Sequence, residues 1–251
     1  MKLIDIHAHL ESSRFKDLDK VITNAKKAGV KYIIQSGTDP KRNRKTLELS
    51  KKFDIIKPSF GMYPVGNLSK DIRKEIEWIK EHKKDCIAIG EIGMDFDNHQ
   101  RKRHHKEQKE LFEKMLNLAK ELNKPVIIHS RKAERECIEI LKQQKMKDVI
   151  MHCFCGRKSL IKEALGAGFY FSIPPAITRW HNFQVLVENV PLTQLLTETD
   201  APYLAPEAGT TNEPKNIAVT IKKIAEIKGL TEKEVADQIW KNAKEVFGLK
   251  D

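Results

Sequence analysis

The sequence predicts an α/β protein: a single (β/α)8 (TIM) barrel with an extra helix at its C-terminal end. Three observations carry that prediction. Eight short runs rich in Ile, Val and Phe alternate with longer segments of helical periodicity, which is the pattern of parallel βα units. No repeat, low-complexity linker or compositional break separates two domains, so residues 1–251 read as one. The length, 251 residues, is what such a barrel uses, about 250.

The elements follow in order. Residues 3–7 form the first strand, and residues 17–28 a helix closed by Gly29 at the position where a C-terminal glycine is favoured. Strand 31–36, helix 41–52, strand 55–60, helix 70–83 and strand 86–91 continue the alternation. A long helix over 104–122 stops before Pro125, which opens strand 126–129 where a missing N–H costs little. Helix 133–144, strand 149–153 and helix 158–167 come next, and Gly168 ends the last of these. Strand 169–173 precedes a weakly patterned helix around 180–188 and strand 195–198. After a long loop, 201–216, come helix 216–228, ended by Gly229, and helix 231–246. In "LTEKE" Thr231 is placed as N-cap with Glu234 at the third helical position, a capping box.

The formal net charge is +11, a balance that suits polyanionic partners. Lysines such as Lys26, Lys27, Lys51, Lys52, Lys83, Lys84, Lys222 and Lys223 are spread over nearly every helix, as solvated faces also require. Cys86, Cys137, Cys153 and Cys155 do not have zinc-ribbon spacing and are expected to be buried reduced thiols. No cationic-then-apolar leader and no apolar run near 18 residues occurs, so a cytoplasmic protein without a membrane span is expected.

Active sites of parallel barrels lie at the C-terminal ends of the strands. The first strand ends "DIHAH", and alternation along a strand turns His7 and His9 to the same side. The fourth offers Glu91 and then Asp95, the fifth His129, the sixth His152, and the eighth Asp200. Any one of these has an ordinary reading as a solvated or capping side chain. Their joint occurrence at five strand ends points to metal. Four imidazoles and two carboxylates exceed what one tetrahedral catalytic ion with an open position takes. Two divalent ions sharing a carboxylate fit, with Glu91, from a middle strand, as the bridge. The mixed donors leave Zn, Mg and Mn open.

At these residues the sequence resembles the TatD family of metal-dependent deoxyribonucleases, amidohydrolase-like barrels. The likeness rests on "IDIHAHL", "AIGEIGMDF", "VIIHSR", "HCFCG", "ETDAPYLAP" and "NEP", in order, over essentially the whole chain. The resemblance implies that His7 and His9 are the first ligand pair, Glu91 the bridging glutamate, His129 and His152 ligands of the second ion, and Asp200 the metal ligand that handles the catalytic proton. Three positions depart from the family pattern. Tyr63, in "GMYP", stands where a histidine is usual; the loop "EAGTT" before "NEP" lacks an arginine; and Cys155 stands where serine is common.

The expected function is therefore hydrolysis of phosphodiester bonds, 3′-to-5′, in single-stranded DNA, by a dinuclear centre that activates water. Glu91 and Asp200 are the catalytic pair. Tyr63, Asp95 and Arg131 are expected to line the substrate site, and Trp180, Phe183 and Phe96 are candidates to stack on bases. The alternative is hydrolysis of an ester or amide-type bond, such as that of a D-aminoacyl-tRNA, which Tyr63 and the arginine-free loop favour. A non-catalytic binding barrel is the third reading.

Overall fold

The computed structural model describes residues 1–68 and 71–249. Eight strands alternate with helices: β1 Leu3–Ala8, β2 Val30–Ser36, β3 Ile56–Phe60, β4 Ala88–Gly93, β5 Val126–His129, β6 Val149–Met151, β7 Tyr170–Ile173 and β8 Leu195–Thr197. They form one sheet in the order β1 to β8, with parallel pairing. The circuit closes because β8 returns beside β1. Thr197 Oγ1 donates to the Ile4 carbonyl at 2.7 Å, and Ala8 pairs in parallel with Ala201. This is the (β/α)8 topology expected from the sequence. β1 and β4 are buried at every position, as strands covered on both faces must be.

By contacts the chain divides into two compact units, Met1–Gln35 with Phe53–Lys57 and Phe171–Asp251, and Ser36–Lys52 with Pro58–Tyr170. In the first unit the last helices, α9 (Ile217–Lys228) and α10 (Glu232–Phe247), cover β1 and β8. Val235, Ile239, Ala243 and Val246 lie on the buried stripe of α10 at three- and four-residue spacing. A buried side chain of the Val, Ile or Phe type contributes about 1.5–3 kcal/mol, so this stripe holds the extra helix in place. The Thr231–Glu234 capping box is present. Gly29, Gly168 and Gly229 all take positive φ at helix ends, as expected.

In the second unit α5 (His105–Leu122) packs on β4, and α6 (Glu134–Gln143) on α7 (Lys158–Gly166). Three expectations need correction here. The helix expected over 104–122 is preceded by a separate short one, α4 (His99–Arg103), capped by Asn98 and broken at His104, whose ψ of 29° leaves the helical region. The sixth strand stops at Met151 instead of reaching residue 153, because Cys153 turns to φ 45°. The third helix, α3, starts at Ile72 behind an Asp71 cap; its expected first residue, Lys70, lies outside the described residues.

The weakly patterned helix is real, α8 (His181–Asn189), and sits behind a 3-10 turn, Pro175–Thr178. The cysteines are reduced, but only Cys86 and Cys137 are buried; Cys153 is half-buried and Cys155 exposed, because both lie in the loop after β6 rather than in the strand. No helix among the described residues is long and apolar enough to cross a membrane.

Candidate metal centre

In the first unit, β1 delivers His7 within the strand and His9 just beyond it, and Asp200 follows β8. The His7 and His9 Nε2 atoms lie 3.1 Å apart, with Asp200 Oδ1 at 3.6 and 3.5 Å from them. Metal–ligand bonds of about 2.0–2.2 Å in a tetrahedron put donor atoms roughly 3.4 Å apart, so the three atoms fit the edges around one ion. His7 is fully buried, and His9 and Asp200 are nearly so.

The backbone brings Asp200 there. Its amide donates to the His7 carbonyl at 2.8 Å, and its φ is 53°, a left-handed conformation that aspartate tolerates better than most residues. Asn212, the first residue of the "NEP" motif, ties the following loop down by donating to the Thr199 carbonyl at 2.8 Å.

Residues that the sequence reading passed over support this trio. Asp5, the third alternate residue of "DIHAH", is fully buried and accepts hydrogen bonds from the Thr199 amide at 2.8 Å and hydroxyl at 2.5 Å. Burial pushes its carboxyl up to about 8 against those hydrogen bonds. The alternation that singled out the histidines also marks Asp5. Glu11 stands 4.0 Å from His9 Nδ1 and takes a 2.5 Å hydrogen bond from buried Gln35. A ligating imidazole commonly hands its other nitrogen to such a carboxylate.

In the second unit Glu91, on β4, places Oε1 3.0 Å from His129 Nδ1 and 3.9 Å from His152 Nε2. Glu91 and His152 are buried. Two backbone approaches make room. A side chain at Gly61 would meet Glu91 backbone atoms at 2.4 Å, and Gly93, at φ +139°, lies against the His129 carbonyl.

Tyr63 and Asp95 are hydrogen-bonded to each other and reach the His129 ring. The Tyr63 hydroxyl donates to Asp95 Oδ2 at 2.7 Å, and that oxygen lies 3.1 Å from His129 Nε2. Arg101, missed in the basic run "HQRKR", reaches the same oxygen at 2.7 Å. Burial works to raise the Asp95 carboxyl, yet hydrogen bonds from His129, the Asp97 amide, Tyr63 and Arg101 outweigh it and hold it well below the usual range. Burial and the charges of Glu91 and Asp95 push the Tyr63 phenol up, so it donates and does not act as a base. Arg131 pairs with Asp97 at 3.0 Å rather than with any of the six donors. Among the aromatic candidates, Phe183 and Phe96 are buried in the core and cannot stack on a base, whereas Trp180 is 40% exposed.

A family model described as TatD related DNase matches residues 4–248. The chain is 36% identical over 258 residues to the human deoxyribonuclease TATDN3, covering 98% of this chain and 94% of that protein. It is 40% identical over 250 residues to a metal-dependent hydrolase of Methanocaldococcus jannaschii, covering 98% and 97%. It is 31% identical over 262 residues to the 3′-5′ ssDNA/RNA exonuclease TatD of Pantoea ananatis, covering 98% and 100%. The crystal structure of the TatD homologue YjjV from Escherichia coli superposes with a TM-score of 0.91 at 26% identity, covering 99% of this chain and 98% of that one.

Proposed function

The chain belongs to the TatD-related DNases, metal-dependent hydrolases acting on ester bonds, and from that premise we propose that it removes nucleotides from the 3′ end of single-stranded DNA at a centre of two divalent ions. The observation that carries the metal reading is the trio His7 Nε2, His9 Nε2 and Asp200 Oδ1, spaced 3.1–3.6 Å apart and facing one another. Glu91, His129 and His152 are the proposed donors of the second ion. Imidazole and carboxylate together suit zinc or manganese, and magnesium if water completes its shell. When bound, such ions polarise the scissile phosphate and lower the pKa of water.

The chain's own residues do the rest. Asp200 accepts the proton released by the attacking water. Asp95, Tyr63 and Arg101 fix the His129 ring, and the Tyr63 hydroxyl stays protonated throughout. Residues 1–251 act as one barrel domain, a reading supported by the single family match across residues 4–248. The 3′-5′ ssDNA/RNA exonuclease relative supports single-stranded nucleic acid as partner, and a cytoplasmic location suits that substrate.

The test is hydrolysis of end-labelled single-stranded DNA, duplex DNA, RNA and D-aminoacyl-tRNA by metal-loaded protein. The expected result is stepwise shortening of single-stranded DNA from its 3′ end. Glu91→Gln and Asp200→Asn should still bind the strand but cut it about 10³-fold more slowly, within the range for loss of a general base. Cleavage of the aminoacyl ester with intact DNA, or equal cutting by all three proteins, would overturn the assignment.

A further inference from the structure

Three loops of the first unit, each following the C-terminal end of a strand, build a cleft beside the His7–His9–Asp200 trio. Its volume is about 440 Å³, within the roughly 300–1,000 Å³ usual for small-ligand pockets, and it is lined by Arg14, Arg179, Tyr203, Glu207 and Thr210, among others. Arg14 comes from the loop after β1, Arg179 from the turn after β7, and Tyr203 from the loop after β8. The cleft is joined to the trio directly. The Tyr203 amide donates to the Asp200 carbonyl at 2.8 Å, and the His9 ring meets the Tyr203 ring edge-on at 6.5 Å.

Two arginines and a tyrosine line the cleft, and Trp180 follows Arg179 in the chain. Tyr203 and Trp180 are 48% and 40% exposed, unusual for large aromatic residues. The Arg14 guanidinium sits 4.9 Å from the Tyr203 ring centre. Arg179 is held by hydrogen bonds from Nε and Nη2 to the Ala205 carbonyl, at 3.2 and 3.0 Å, and lies 5.8 Å from the Trp180 ring. Trp180 itself is braced by stacking on buried Phe183.

Among the described residues no carboxylate pairs with Arg14 or Arg179, while Arg42, Arg44, Arg101 and Arg131 each pair with one. The one carboxylate lining the cleft is Glu207. Two guanidiniums lining one cleft, with half-exposed aromatic rings at their side, are elements that hold a single strand without reading its sequence.

Resting on the nuclease reading above, we infer that Arg14, Arg179 and Tyr203 form a binding subsite for the nucleotide next to the scissile phosphate. The arginines hold its phosphate and Tyr203 stacks on its base. These residues bind substrate and take no part in proton transfer.

The experiment compares hydrolysis of an oligothymidylate of about ten nucleotides with that of methyl p-nitrophenyl phosphate, which is too small to span both sites. Arg14→Ala and Arg179→Ala should each raise the oligonucleotide KM about tenfold, as loss of a charge-assisted hydrogen bond does, with a far smaller change in kcat. The double variant should flatten the dependence of log KM on log salt by about 0.7, the value for one single-strand phosphate. Tyr203→Ala should raise KM and Tyr203→Phe should restore it. Arg14→Gln serves if the alanine variant folds poorly.

Oligonucleotide KM values within twofold of wild type, an unchanged salt slope, or equal losses on both substrates would overturn the subsite while leaving the nuclease reading intact. A wild-type protein that neither binds nor cuts the oligonucleotide would overturn both.

Discussion

Asp5 shows how one residue ties site and stability together. It is fully buried against Thr199 and its carboxyl rises to about 8, where an exposed aspartate titrates near 3.8. The unfolded chain sheds this proton first, so between those two values the native state holds more proton and stability falls as pH rises, by at most about 1.4 kcal/mol per pH unit. Urea titrations of metal-stripped protein at stepped pH from about 4 to 8 should show that decline, and Asp5→Asn should flatten it. A stability that climbs over the same window would contradict the neutral carboxyl. His7, two residues on, needs the opposite surroundings. The same strand therefore carries a group kept neutral and a group expected to hold a cation, separated by one alternation.

At the scale of elements, the strands and most helices were legible because their signals are local. Apolar β-branched runs, glycines past helix ends and the Thr231 capping box each act within a few residues. What was not legible depended on side-chain contacts that join one element to another. The break at His104 is stabilised by Gln108, whose side chain bonds the backbone of Asp95 and Arg101, and no periodicity reports that.

The end of β4 is the element where packing is tightest. A Cβ at Gly93 would sit 1.9 Å from the His129 carbonyl at a φ of +139°, so Gly93→Ala cannot be absorbed by a side-chain shift. It should destabilise the protein by about 3 kcal/mol or more in chemical denaturation and separate Glu91 from His129, lowering metal content. A variant with wild-type stability and wild-type metal content would show that β4 and β5 can part more easily than this contact allows.

For the whole molecule, the candidate donors were legible and their supports were not. His7, His9, Glu91, His129, His152 and Asp200 could be found because residue type and strand-end position coincide. Glu11 and Gln35 could not, because they act through each other across 24 residues, and Arg101, only six residues from Asp95, is hidden in a basic run that reads as solvated charge. Tyr63, expected to line the substrate site, donates its hydroxyl to Asp95, a bond that residue type alone does not report.

Metal should also stabilise the fold. An ion that binds only the native state adds about 2.7 kcal/mol at a hundred times its Kd, so chelation should lower the thermal midpoint and readdition of zinc or manganese should restore it. A midpoint indifferent to chelator would argue that these donors hold no ion.

The pairing of β1 with β8 has a consequence for biosynthesis. Asp200 is made 193 residues after His7, and α10, which covers both strands, later still. At about 5–20 residues per second, His7 and His9 wait roughly 10–40 seconds before the third donor exists. During translation the nascent chain therefore carries an unfinished trio, and any loading of it is deferred until Asp200 has been made.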